Sequence, residues 1–287
     1  MFNFIKKLLA QNGLLLSAPI SLADCTVTRP YLLERAKIDM GGSAVIFAIP
    51  YHTASGEVTC RNISRYAVGY DYHRFVGLLA DELLPVLHAR FPNTRFAMFA
   101  DHSPIDEREA AAKAGLGIIG QHGLLITEQY SSYVFIGEIV TDKPLPPELS
   151  QVAKPRFCEN CGACRAVCPL VRGEIGDCLS ALTQKKGELA PTEVKAMIQH
   201  NTVWGCDLCQ EACPHTRSAR KNGTLFSPLP FFGDSPLPLV TYDGICSMSD
   251  EEFSKRAYAW RGRDIILRNL AAVRGQDETT TEKSKNV

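Results

Sequence analysis

The sequence predicts an α/β (α+β) domain at its N-terminal end, then a small cysteine-rich domain, then a short helical C-terminal segment. Three observations carry this reading. Residues 1–150 alternate β-branched apolar runs with stretches whose apolar residues recur at helical spacing. Eight of the eleven cysteines fall between Cys158 and Cys213. From about residue 221 the chain is rich in proline and then becomes helix-patterned. The expected boundaries are 1–150, 151–220, 221–275 and a tail over 276–287 that has no apolar residue before Val287 and is expected to be disordered.

The elements follow in order. Lys6 and Lys7 precede apolar residues, faintly like a signal peptide, but Gln11, Asn12 and Gly13 interrupt the run. A short amphipathic helix, a stop at Gly13 and a strand at Leu14–Ser17 are expected instead. No segment approaches the roughly 20 apolar residues of a membrane span, and a cytoplasmic protein is expected. Ala44–Ile49 is β-branched and apolar, which predicts a buried strand ended by Pro50. Phe75, Leu78, Leu79, Leu83 and Leu87 place a helix over 71–90, with a kink at Pro85. Arg95–Ala100 reads as a strand that delivers Asp101 and His102 into a loop, where chemistry tends to sit. Ser103 is the expected cap of the next helix, Pro104 its first residue, and Asp106 and Glu107 suit its positive end. That helix should stop at Gly115.

Gly115-Leu116-Gly117-Ile118-Ile119-Gly120 matches G-x-G-x-x-G. A dinucleotide fingerprint follows a strand and opens a helix. Here the motif follows a helix and leads to a strand at Gly123–Thr127, so the glycines are expected to let backbone approach something bulky. Tyr133–Val140 is a further strand, and Lys143-Pro144-Leu145-Pro146-Pro147 a stiff linker. Beyond it, helices are expected at Pro191–Ile198, Asp250–Tyr258 and Asp264–Ala272.

Cys158, Cys161, Cys164 and Cys168-Pro169 read C-x2-C-x2-C-x3-C-P, the ligand run of bacterial ferredoxins. Three closely spaced thiolates wrap one corner of a [4Fe–4S] cube, and the fourth reaches a second cube. Cys206, Cys209 and Cys213-Pro214, with Cys178 upstream, supply that second set. The expected pairing is Cys158, Cys161, Cys164 and Cys213 on one cluster, and Cys178, Cys206, Cys209 and Cys168 on the other. The cysteine-rich domain is therefore expected to be a ferredoxin-like 2[4Fe–4S] domain. Zinc and disulfides are the rival readings; zinc sites close with four ligands in two pairs, and clustered cysteines point to metal in a reducing compartment. Cys25, Cys60 and Cys246 lack ligand spacing and are expected to be ordinary buried thiols. The formal net charge of zero gives no bulk signal for nucleic acid.

Two cubes move electrons without choosing a substrate. The chain could be an electron carrier whose N-terminal domain only docks a partner. Alternatively residues 1–150 hold a cofactor that the cubes reduce, which the size of that domain favours. Several further motifs stand in order: Ser64-Arg65-Tyr66-Ala67, Gly69 and Asp71-Tyr72-His73; Asp101, Pro104 and Glu107-Arg108; Ala114-Gly115-Leu116-Gly117 and Gly120; Phe135 and Gly137-Glu138; Gly205-Cys206-Asp207, Cys209 and Gln210; Gly262-Arg263 and Arg268-Asn269. Together with both cysteine sets they resemble the epoxyqueuosine reductase family, cobalamin-dependent iron–sulfur enzymes that act on the wobble base of tRNA.

The resemblance implies two [4Fe–4S] clusters and a base-off cobalamin in the N-terminal domain, an external low-potential electron donor, and reduction of the epoxide of epoxyqueuosine in tRNA to the alkene of queuosine. It implies Asp101 as proton donor, and Tyr66, Asp101, Leu125 and Ile136 as corrinoid contacts. A corrinoid iron–sulfur reductase of another small substrate is the neighbouring alternative. Asp101 by itself admits two readings. An ordinary aspartate near ~3.9 is a poor acid at neutral pH, but burial against an apolar ring would raise it; it could equally cap the helix that starts nearby. No axial role is assigned to His73, His102 or His122, because the family's cofactor carries no such ligand. Gly120-Gln121-His122 departs from the family's Gly-Lys. The cations Lys185, Lys186, Arg217, Arg220, Lys221, Arg256, Arg261 and Arg263 are dispersed, although residues 217–268 could form a local patch for phosphates.

Overall fold

β2 (Ser43–Pro50) is buried at every position and pairs antiparallel with two strands. Its run of alanine and β-branched residues explains this: nothing in it needs water. β1 (Ser17–Ser21) lies on one side and β6 (Val134–Thr141) on the other, and β3 (Phe96–Ala100) pairs antiparallel with β6. The sheet order is β1-β2-β6-β3, and β4 (Ile118–Ile119) and β5 (Leu125–Ile126) form a separate two-stranded hairpin. This computed structural model describes residues 1–54, 57, 60–149 and 152–283.

Helices cover the sheet. α1 (Phe2–Gln11) contacts β1 and β2 through a face that buries Phe2, Ile5 and Leu9. α2 (Pro30–Ala36) follows β1, and α3 (Tyr72–Arg90) passes through Pro85 and packs on β3. α4 (Glu107–Lys113) lays Ala110, Ala111 and Ala112 against Ala44, Ile46 and Val140. Three alanines in a row let the helix approach the strands closely.

The sequence placed two of these starts differently. Leu14 N–H still bonds back to the Leu9 carbonyl after the Gly13 turn, so the ladder begins at Ser17 and not Leu14. Asp106, not Ser103, caps α4: its carboxylate accepts from the Arg108 and Glu109 amides, while Ser103 Oγ accepts from Ile105 N–H inside the preceding turn. Pro104 therefore stands outside the helix.

These elements belong to a first compact unit built from Met1–His52, Tyr72–Cys161 and Pro214–Leu229. The last piece contains α9 (Pro214–Lys221), whose Thr216 hydroxyl stands 2.8 Å from that of Ser131. The second unit takes Thr53–Asp71, Gly162–Cys213 and the chain from Pro230 onward. It holds α5 (Ala163–Ala166), α6 (Leu179–Gln184), α7 (Pro191–Gln199), α8 (Leu208–Glu211), α10 (Tyr242–Ser247), α11 (Asp250–Ser254) and α12 (Arg263–Lys283). The units thus do not follow the sequential boundaries expected at 150 and 220. The reason is pairing across long separations: Ile63 forms a parallel bridge with Trp204, and the fully buried Trp204 and Tyr258 share one apolar cluster with Val68 and Ile266. α12 also runs into the expected tail as far as Lys283, a stretch of helix-tolerant residues; 284–287 lie outside the described residues.

The G-x-G-x-x-G run serves the hairpin. A Cβ on Gly117 would meet the Ile126 carbonyl oxygen at 2.3 Å, so the bulky object its backbone approaches is the chain's own partner strand. Gly117→Ala should therefore lower unfolding free energy by about 1–3 kcal/mol in urea titration, since backbone and not a flexible side chain must shift; an unchanged midpoint would show that the hairpin tolerates the methyl group.

Candidate functional site

Asp101 leaves the end of β3 with φ of 62°, in the left-handed region. Its amide N–H donates to Glu107 Oε1 at 2.7 Å. Its side chain is 71% exposed and stands 3.8 Å from His73 Nε2. The His73 ring beside it outweighs partial burial and holds the carboxyl below its ordinary value. The expected rise is tied to burial against an apolar ring; the chain's own groups by themselves hold Asp101 low. Asp101, Leu125 and Ile136 do come together: with Tyr72, Glu107 and Phe135 they border a cavity of about 120 Å³. Tyr72 stacks on Phe135 with ring centroids 3.9 Å apart. This face offers an apolar wall, but a cavity of that volume takes a substituent and does not enclose a macrocycle. Tyr66 belongs to the second unit, where a Cβ on Gly205 would meet its ring at 2.9 Å.

Two carboxyls behind Asp101 carry the raised values. Burial pushes Glu107 up to about 7, against an ordinary 4.5, partly offset by the Asp101 amide. Burial and the neighbouring Glu107 charge push Glu138 well above the usual range. Both residues sit inside motifs the sequence displays, yet neither is among the site residues expected from it. The available signal was parity: Ile136, Glu138 and Val140 share one face of β6, and an acid at the middle position of an apolar face is anomalous.

The cysteine segments are held by specific devices. In the first unit, residues 156–158 run along β4: Ile119 N–H bonds to the Arg156 carbonyl, Cys158 N–H bonds to the Ile119 carbonyl, and Gln121 N–H donates to Cys158 Sγ at 3.3 Å. Gln121 thus acts through its backbone at the position where the motif departs from the family. In the second unit, Cys168, Cys178, Cys206 and Cys209 gather: burial raises Cys206 and Cys209 to about 12, and Cys178 and Cys168 both contribute to that rise. Thiols so placed bind protons unless a metal cation displaces them. Among the described residues no three His, Cys, Asp or Glu side chains converge on a single-ion position. A cube gives each thiolate a different iron, so its ligands need not crowd one point. Cys25 is half-buried and raised to about 12, chiefly by burial, whereas Cys60 and Cys246 are exposed, contrary to the expectation of buried thiols.

Asp207, inside the second cysteine run, is buried and accepts from Arg61 Nη1 at 2.7 Å, Arg65 N–H at 2.9 Å and Ser64 Oγ. Glu211 pairs with Arg61 and Arg65. Asn269 donates to the Thr183 and Val203 carbonyls, and Arg268 to the Lys185 carbonyl. The motifs at 64–66 and 205–207 therefore clasp each other, and 268–269 ties together the segments on either side of α7. Several cations considered for phosphate are already paired: Lys185 with Glu193, Arg256 with Glu252, Arg263 with Asp250. Arg217 and Lys221 are exposed on α9.

No family model matches the chain. Its sequence is 36% identical over 221 residues to the epoxyqueuosine reductase of Gloeobacter violaceus, covering 74% of this chain and 68% of that protein. It is 33% identical over 229 residues to the Pseudomonas aeruginosa epoxyqueuosine reductase (76% and 61% covered) and 33% over 232 residues to that of Escherichia coli (76% and 59%). The match thus spans from 59% to 68% of the length of these relatives. Among solved structures, epoxyqueuosine reductase from Streptococcus thermophilus aligns with TM-score 0.74 at 22% identity, covering 99% of this chain and 86% of that one. An epoxyqueuosine reductase crystallised with a tRNA-Tyr epoxyqueuosine-modified stem loop aligns with TM-score 0.73 at 22% identity, covering 95% and 81%. The fold is the mixed α/β fold of these reductases. The chain belongs to the epoxyqueuosine reductase family. Among the described residues no helix is long and apolar enough to cross a membrane.

Glu107 gives a pH test of the site. Its proton is held more tightly in the folded than in the unfolded chain, so its contribution to stability is fully present below about pH 4.5 and is lost as pH rises through about 7. The loss should be on the order of 3 kcal/mol. Urea unfolding at about pH 5 and about pH 8 should show it, and Glu107→Gln should flatten the difference; an equal fall in the variant would assign the titration to another group.

Proposed function

We propose that this chain is an epoxyqueuosine reductase that removes the epoxide oxygen of epoxyqueuosine in tRNA to give the alkene. The observation that carries the reading is that Cys206 and Cys209, buried in the second unit, both lie within electrostatic reach of Cys168 and Cys178, as ligands of one cube of a two-cluster relay would. These four would hold one [4Fe–4S] cluster. The spacing of Cys158, Cys161, Cys164 and Cys213 supports a second. Leu125, Ile136 and the Tyr72–Phe135 stack would border a corrinoid. When bound, such a cofactor supplies two-electron reduction at cobalt, fed through the clusters from an external low-potential donor.

The chain's own residues supply the proton. Opening and deoxygenating an epoxide leaves charge on oxygen, and Asp101, exposed on the cavity rim, is the group placed to protonate it. The His73 ring favours the ionised form of that carboxyl, so Asp101 becomes an acid only when bound substrate displaces water and the His73 contact. For tRNA, the exposed Arg217 and Lys221 of α9 are available to phosphate, and affinity should fall steeply with salt.

Asp101→Asn should keep iron and corrinoid content and lower turnover of epoxyqueuosine-bearing tRNA by about 10²–10⁴-fold; full turnover would remove Asp101 as donor. Cys178→Ala should remove about half of the roughly eight irons from anaerobically reconstituted protein; undiminished iron would remove Cys178 from the ligand set.

A further inference from the structure

Glu107 and Glu138 have an arrangement that proton donation by Asp101 leaves unused. β6 lies between β2 and β3, and Glu138 faces Ile46 across one ladder and Phe99 across the other. Its side chain is fully buried, and the polar groups that reach its carboxyl are the Ser103 hydroxyl and the Glu107 carboxyl. Ile136, Val140 and the alanines of α4 surround it on that face. The first turn of α4 brings the Glu107 carboxyl alongside, and the Ser103 hydroxyl lies nearby. The charged and titratable groups that face the pair from other elements are Asp101, Arg29 and Cys25. Arg29 spends a guanidinium N–H on the Ser103 carbonyl at 3.1 Å. Two anions so placed would repel one another at low dielectric, with too few donors to offset it.

We propose that Glu107 and Glu138 hold one proton between them, and that this shared proton makes Glu107 a positioning residue that keeps Asp101 in its left-handed backbone conformation. A carboxyl–carboxylate contact fixes the Glu107 side chain with one oxygen toward Glu138 and Oε1 toward the Asp101 amide. Asp101 is not glycine, so φ of 62° is unfavourable by itself and persists only while something holds it. Loss of the shared proton restores the repulsion, moves Glu107 off the amide and releases the Asp101 loop. The shared proton and the amide hold stand independently of the reductase reading; only their effect on turnover rests on it.

The test uses the full chain labelled with carboxyl-¹³C glutamate. One glutamate should stay protonated until about pH 7 in the unsubstituted protein, and none should in Glu138→Gln, whereas in Glu107→Gln the raised titration should pass to the buried Glu138 alone. Hydrogen exchange at the Asp101 amide supplies the second readout. At about pH 6, Glu107→Ala should exchange roughly tenfold faster, whereas Glu107→Gln, whose side-chain carbonyl still accepts, should match the unsubstituted protein. Above about pH 8 the unsubstituted protein should lose this protection, but Glu138→Gln should keep it, because its amide donates to the Glu107 anion at any pH. A merely structural glutamate would not produce that crossover. If every glutamate titrates at ordinary values, or if Glu107→Ala leaves the Asp101 amide unchanged, the proposal is overturned. Should Asp101→Asn retain full turnover, the donor assignment falls, while the exchange data still decide this proposal.

Discussion

A carboxyl group taken out of water must find donors or keep a proton, and both compact units are organised by that constraint. In the second unit Asp207 finds donors: Arg61, the Arg65 amide and the Ser64 hydroxyl converge on it. Those donors come from residues about 140 positions earlier in the chain. Burying the anion therefore draws the 61–65 segment onto the cysteine run and fixes where Cys206 and Cys209 stand. Removing any donor would leave a buried charge short of partners, which is more costly than never having buried it.

The first unit gives the other answer. Glu138 sits in the middle of a sheet among alanines and branched side chains, with no cation beside it and the Ser103 hydroxyl as its one neutral donor among the groups that reach it. Its neighbour Glu107 reaches back from the start of α4 and also meets the Asp101 amide. A sheet strand, a helix terminus and a strained loop residue thus converge on one small volume. The neighbouring aspartate, exposed beside His73, behaves in the opposite sense and stays ionised. Acid and base character diverge within one cluster because water reaches one carboxyl and not the others.

Glycines set how closely these parts can approach. Gly117 lets β4 lie against the Ile126 carbonyl, and the hairpin's outer edge then carries residues 156–158 and the Cys158 sulfur. Gly205 turns the chain at φ of 72° where a Cβ would strike Ser64 at 2.5 Å. A run that resembles a nucleotide fingerprint letter for letter is in this fold a packing device for a cysteine.

The linear sequence determined the elements and the cysteine inventory, because local periodicity and ligand spacing are properties of near neighbours. The buried strand at Ala44–Ile49, the helix after Tyr72, the strand ending at Ala100 and the helix that ends before Gly115 could all be read from it. It also exposed the false promise of Gly115–Gly120, since a fingerprint needs a strand before it. Only tertiary structure decided the rest. It moved the α4 cap from Ser103 to Asp106, because the loop hydrogen bond of Ser103 competes with capping. It assigned Thr53–Asp71 to the unit that holds Cys168, Cys178, Cys206 and Cys209, and it left Asp101 exposed with two protonatable glutamates behind it. Those outcomes depend on which distant groups share a volume and on how far water penetrates, and no window of neighbouring residues contains that information.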